Sequence, residues 1–174
     1  MIDRKWFEIS MGFREKTALA MEQYTNVAGI DLEKIAHMSD VDIACDFHAG
    51  VHRKLFSARD VRKLVERLDS HCKYRPQTRL FLNLFDFLTE ELELSDDLAQ
   101  CMAFGFNMTP TQFLSCSNDD ISERLYPALL EGWLGLGALK SILTSLDQHY
   151  PNRLQRSQSS TASTAASRAN PYVV

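Results

Sequence analysis

The signature Leu68-Asp69-Ser70-His71 returns 78 residues later as Leu146-Asp147-Gln148-His149. Each copy closes an apolar run. The runs are Val61, Leu64, Val65 and Leu68 in the first, and Leu139, Ile142, Leu143 and Leu146 in the second. Steps of three and four residues put each run on one face of a helix. The same offset sets Phe7 against Phe85, Ile9 against Phe87, Ile35 against Phe113, Ile43 against Ile121, and Phe47 against Leu125. It also sets Val51 against Leu129, Leu55 against Trp133, Phe56 against Leu134 and Leu64 against Ile142. Around the second helix a slip of one residue fits better, pairing Leu19 with Leu98. Apolar character is retained throughout, as the core of a duplicated module requires.

Helix boundaries follow from caps and breakers. Ser39-Asp40 offers an N-cap for a helix from Val41 to about Lys54, and Ser57 with Asp60 three residues on opens another through Cys72. Ser95 is expected to cap a helix that Gly105 stops, and Thr109-Pro110 starts a short one, proline being well placed in a first turn. Ser117 to Asp120 reads as a turn and cap, after which Ile121, Leu125, Leu129 and Leu130 continue into Trp133 as one apolar stripe. Gly132, Gly135 and Gly137 mark a helix–helix junction. No alternating run with an Asn-Gly or Asp-Gly turn competes, so the expected class is all-α. From Ser157 the chain is rich in Ser, Thr and Ala, with too little apolar surface to offset ordering entropy, and is expected to be a flexible tail or linker.

With 174 residues and 45% hydrophobic content, the chain suits one compact domain or two small ones. A module of about 75–80 residues is marginal alone, so two copies are expected to pack together. A net charge of −4 argues against a general nucleic-acid binder. Basic residues gather at His52, Arg53, Lys54, Arg59, Arg62 and Lys63, and acidic ones at Glu90, Glu91, Glu93, Asp96 and Asp97. Opposite patches suit protein association or plain solubility. Cys45, Cys72, Cys101 and Cys116 lack CxxC spacing and read as reduced thiols of a cytoplasmic protein. The longest apolar run is broken by Glu131 and Lys140 and is too short for a bilayer span.

Residues 84–98 resemble the first-to-second helix segment of a death effector domain, and residues 125–143 resemble its fourth and fifth helices. Residues 50–69 follow the same pattern. Many death effector domains carry Arg-x-Asp-Leu at the last helix, paired with an acidic residue of the second helix. Arg67-Leu68-Asp69 matches the first three positions, Ser70 stands where the leucine would be, and Glu22 is the candidate acidic partner. In the second copy Ser145 replaces the arginine, and Asp147 remains.

The resemblance implies two tandem six-helix antiparallel bundles packed on each other, over 1–76 and 77–153, with a tail from 154 to 174. It is similar to the prodomains of apical initiator caspases, loosely including the insect Dredd-like ones, and to FLIP-type regulators. It implies a non-catalytic module that self-associates into oligomers or filaments, with a FADD-like adaptor and an initiator caspase as partners, in apoptosis or innate immune signalling. Phe104 and Phe106 would dock into a groove on another unit, the alternative being that both are core. A decoy that caps such assemblies and an unrelated all-α scaffold are the competing readings.

No enzyme chemistry is expected. The caspase signature Gln-Ala-Cys-x-Gly is absent. His48 and His52 are four apart on one helix but lack the Glu of HExxH and a clear third ligand, so no metal is expected. Neighbouring His71 and Cys72 do not face each other on a helix, and no phosphate-binding glycine loop occurs, so no cofactor is expected.

Overall fold

The computed structural model of the protein describes residues 1–72 and 79–153. The expected boundary between 76 and 77 and the tail from 154 lie outside the described residues. All regular structure among the described residues is helical: α1 (Arg4–Ile9), α2 (Glu15–Ala28), α3 (Leu32–His37), α4 (Asp40–His52), α5 (Ala58–His71), α6 (Leu80–Glu90), α7 (Asp96–Phe106), α8 (Pro110–Leu114), α9 (Asn118–Leu130) and α10 (Leu136–His149).

The sequence echo reappears as repeated backbone detail. α4 and α9 start and end 78 residues apart, as do α5 and α10. Capping boxes join Ser39 to Asp42 ahead of α4 and Ser117 to Asp120 ahead of α9. Each box satisfies backbone donors that a helix start leaves open. α2 ends on Gly29 and α7 on Asn107, both left-handed, at φ 65° and 46°. Asn tolerates that region better than most side chains, and Gly105 does not stop the helix as expected.

Upstream of these caps the offset changes to 81. Gly12 and Glu93, both at positive φ, correspond, and so do the buried pairs Ala18 with Ala99 and Met21 with Met102. α2 has 14 residues and α7 has 11, so the slip is about one helical turn and not one residue, which keeps the same face inward. Where six helices were expected in each copy, the described residues hold five.

By compactness the chain divides elsewhere, into a unit over Met1–Thr109 and a unit from Pro110 onward. In the first unit α4 is the central helix, packed by α5, α6 and α7, while α6 packs on α7 and α1 on α2. Phe7, Met21, Phe47, Leu64, Phe81 and Phe85 are at most 2% exposed at its core. Tyr24, Phe47 and Phe56 form a ring cluster with centroids 5.4–5.8 Å apart. Phe56 lies over Gly50 so closely that a Cβ there would sit 2.1 Å from its Cζ. Gln100, wholly buried, donates from Nε2 to the Ala44 carbonyl at 3.2 Å and ties α7 to α4.

The second unit is built on the α9–α10 pair. Ile121, Leu125, Leu134, Ile142 and Leu146 are at most 4% exposed. After α9 the Trp133 and Leu134 amides both reach back to the Ala128 carbonyl and close the corner. Arg153 is 7% exposed and donates to the Cys116 carbonyl at 2.5 Å and to Asn118 Oδ1.

Candidate functional site

α5 is strongly amphipathic, and its polar face carries the cations that the sequence showed as a cluster. Most of them are spent inside the first unit. Arg62 makes a two-pronged contact with Asp86, Nε to Oδ1 at 2.5 Å and Nη2 to Oδ2 at 2.8 Å, and also reaches Glu66 at 3.0 Å. Hydrogen bonding to Asp86 drives its pKa upward against the opposing effect of burial. Arg59 meets Asp96 and Lys54 meets Asp97, each at 2.6 Å. Asp96 and Asp97 of the acidic cluster are therefore matched by Arg59 and Lys54 of the basic one. A cavity of about 270 Å³ lies against Arg59, Arg62, Phe85 and Asp86.

Arg67 is exposed, and its guanidinium forms no ion pair with a described residue. Glu22 is committed elsewhere: its Oε1 accepts the Arg4 amide at 3.1 Å, at the start of α1. The expected Arg67–Glu22 pair is thus not formed, because the α2 carboxylate is used to cap a neighbouring helix. Both carboxylate oxygens of Asp69 are shielded from solvent, and the residue lines a small cavity with Glu66, Ser70, Arg79 and Leu82. Arg67 and Asp69 are therefore not brought to one exposed face.

Phe106 is 3% exposed, a core residue and not a docking one. Phe104 is half-buried, its ring 5.0 Å from that of His48. His48 is 7% exposed, and burial, helped by His52, holds its pKa below the usual histidine value, with Asp97 pulling the other way. Asp147 is exposed and lies 3.6 Å from Arg153. Arg153 was not singled out from the sequence. A lone arginine after Pro151 carries no pattern, and its role rests on carbonyl and amide partners distant in the chain.

A second surface lies where the apolar spacing of α9 runs on into Trp133. Tyr126, Leu130, Trp133 and Leu136 are 57%, 69%, 44% and 77% exposed at the α9–α10 corner. Tyr126 and Leu130 are one turn apart on α9, and the closed turn brings Trp133 back over its last residues. Contiguous exposed apolar side chains of this kind mark contact surfaces more often than scattered ones do.

Among the described residues no group of three or more His, Cys, Asp or Glu is placed to hold a metal ion. Burial pushes the Cys101 thiol up to about 11, and burial with Asp46 and Asp42 raises that of Cys45, so neither is an activated nucleophile. No helix among the described residues is long and apolar enough to cross a membrane. No family model, curated protein or solved structure matches the chain.

Proposed function

We propose that the chain is a non-catalytic interaction module that assembles through homotypic contacts between small helical repeats. The observation that carries this reading is the exposed apolar corner of Tyr126, Leu130, Trp133 and Leu136, set on a repeated helical frame whose caps recur in register. Hydrophobic surface kept in water costs free energy, and a binding partner recovers it. The resemblance to tandem death effector domains supplies the partner class: a FADD-like adaptor and an initiator caspase in the cytoplasm, in apoptosis or innate immune signalling.

The test is direct. Purified protein is mixed with the death effector domain of such an adaptor and followed by sedimentation velocity and electron microscopy. Co-assembly into oligomers or filaments is expected. Two proteins sedimenting independently at all concentrations would refute the partner assignment.

A decoy role is favoured by one specific feature. Lys54, Arg59 and Arg62 are held by carboxylates of the same chain, which leaves the α5 face with few free cations for a further subunit. A capping protein would shorten partner filaments at substoichiometric amounts, whereas a recruiting one would lengthen or nucleate them.

A further inference from the structure

We infer that Ser95 is a phosphorylation site, modified by an acidophilic serine kinase that recognises the carboxylates on either side of it. The site is independent of homotypic assembly.

Among the described residues four serines hold the N-cap position of a helix: Ser39 before α4, Ser57 before α5, Ser95 before α7 and Ser117 before α9. Three of them are locked. Ser39, Ser57 and Ser117 each donate the hydroxyl proton to the carboxylate three residues on, at 2.6, 2.7 and 2.6 Å. Each also accepts the amide of that residue, at 3.2, 3.1 and 3.0 Å. Ser95 has the same extended backbone, φ −63° and ψ 149°, but its side chain makes no cap hydrogen bond. Three residues on from it stands Leu98, where the others have Asp42, Asp60 and Asp120, so no carboxylate takes the hydroxyl proton. Ser95 is exposed, and its hydroxyl is left free to react.

The loop from α6 to α7 surrounds this hydroxyl with negative charge. Leu92, 1% exposed, anchors the loop, and the Leu94 amide reaches back to the Leu88 carbonyl at 3.0 Å. Between these anchors Glu93 turns at φ 53°. Glu90, Glu91 and Glu93 are exposed and form no ion pair with a described residue, and Asp96 and Asp97 follow Ser95 directly. A kinase with a cationic substrate groove selects its acceptor by such a pattern. In the first copy Arg14 takes the N-cap position of α2 that Ser95 takes in α7, so one copy alone carries the acceptor.

ATP bound to the kinase supplies the phosphoryl group. Ser95 Oγ bonds to the γ-phosphorus as the bond from that phosphorus to the β–γ bridging oxygen breaks. ADP leaves, and the hydroxyl proton passes to the catalytic carboxylate of the kinase. The product carries a charge of about −1.5 to −2 at neutral pH. Arg59 is held at 2.6 Å by Asp96, the residue next to Ser95. Its guanidinium then exchanges that carboxylate for the phosphate, which offers a stronger two-pronged partner.

The experiment treats the full chain with ATP and an acidophilic kinase of the casein-kinase type, and mass spectrometry maps the phosphate against time. Ser95→Ala is the matched variant, and it loses no cap hydrogen bond. Peptides spanning residues 88–100 and 112–124 are the controls, the second carrying Ser117 with Asp119 and Asp120 behind it. In the peptides Ser95 and Ser117 are expected to react at similar rates. In the full chain Ser95 is expected to react at least about fivefold faster than Ser39, Ser57 or Ser117, the factor by which a capping box holds its hydroxyl back. Ser95→Ala is expected to lose this modification. A full chain unmodified at Ser95 overturns the inference, whether or not the peptide is accepted, and so do capped serines that react as fast as Ser95. Phosphorus NMR then follows the second ionisation of the phosphate, which is expected at higher pH in Arg59→Ala than in the wild type. Equal values overturn the Arg59 exchange.

Discussion

Residues 39–71 and 117–149 are one design written twice, and their differences separate what closes the fold from what faces outward. Both open on a Ser/Asp capping box, and both end with a histidine Nδ1 against the carbonyl four residues back, at 2.8 and 2.9 Å. Interior positions stay apolar, Ile43 with Ile121, Phe47 with Leu125, and Leu64 with Ile142. At the corner, Gly50 and Phe56 in the first copy become Ala128 and Leu134 in the second. A larger residue under a smaller one replaces a smaller residue under a larger one, as close packing demands. The outward positions have no such constraint. Arg59 becomes Gly137, and Arg62 becomes Lys140.

The corner exchange gives the largest expected effect. Gly50→Ala places a Cβ 2.1 Å from the Phe56 ring tip, which must then leave its cluster with Tyr24 and Phe47. A loss of about 1–3 kcal/mol is expected from overpacking. Gly50→Ala with Phe56→Leu, the combination found in the second copy, is expected to cost less than the sum of the single changes. Urea denaturation of the two single variants and the double variant gives the coupling. Strict additivity would break the claim that the two positions are packed as a pair.

The same comparison shows what the sequence could reveal. The repeat was legible because core positions must stay apolar and caps must stay Ser or Asp at fixed spacing. The slip before Gly29 was misplaced, because one residue and three residues both keep some apolar matches, and the shared positive φ of Gly12 and Glu93, with the unequal lengths of α2 and α7, fixes it at three. Phe104 and Phe106 are equally apolar in sequence, yet one is half-buried against His48 and the other is core. Leu129, Leu130 and Trp133 follow helical spacing until the chain turns at Gly132, φ 74°, so spacing alone does not reveal that Leu130 and Trp133 are exposed. The charged clusters were visible, but their pairing depends on how α6 and α7 pack against α4 and α5, which periodicity does not encode.

A middle-sized effect distinguishes the second helices of the two copies. α5 starts on a full capping box, Ser57 with Asp60, whereas α10 starts on Gly135 with no side-chain cap. Ser57→Ala is expected to cost about 1 kcal/mol. Gly135→Ala removes no side-chain hydrogen bond and is expected to cost a few tenths at most. Thermal melts of both variants check the contrast. Equal losses would show that the cap at Ser57 contributes nothing beyond its backbone.

A pH effect belongs to the first copy alone, since Tyr126 replaces its buried histidine. His48 is held neutral by burial, with a folded pKa below the ordinary 6.5. Its neighbours are Phe104, His52 and Asp97. Below 6.5 the unfolded chain takes up the proton first, so the stability His48 contributes is complete above that value and is lost as pH falls through the folded pKa. His48→Gln is expected to flatten this part of the acid limb in denaturation midpoints measured from pH 7.5 to 5. An unchanged slope would place the acid sensitivity elsewhere.

The smallest effects lie in the ion pairs, and their ranking follows exposure. Lys54 and Asp97 have side chains 75% and 53% exposed, so their pair should contribute only about 0–0.5 kcal/mol and vanish in high salt. Arg62 and Asp86 are 27% and 32% exposed and joined by two hydrogen bonds. Their coupling should be the larger, about 1 kcal/mol, and less sensitive to salt. Double-mutant cycles to alanine at both pairs, in low and high salt, measure this. In the second copy Lys140 takes the place of Arg62 and presents a point charge, not a planar fork. Arg62→Lys should therefore lose most of the coupling while keeping the charge. Full retention would mean that charge alone, and not the two-pronged geometry, holds α5 against α6.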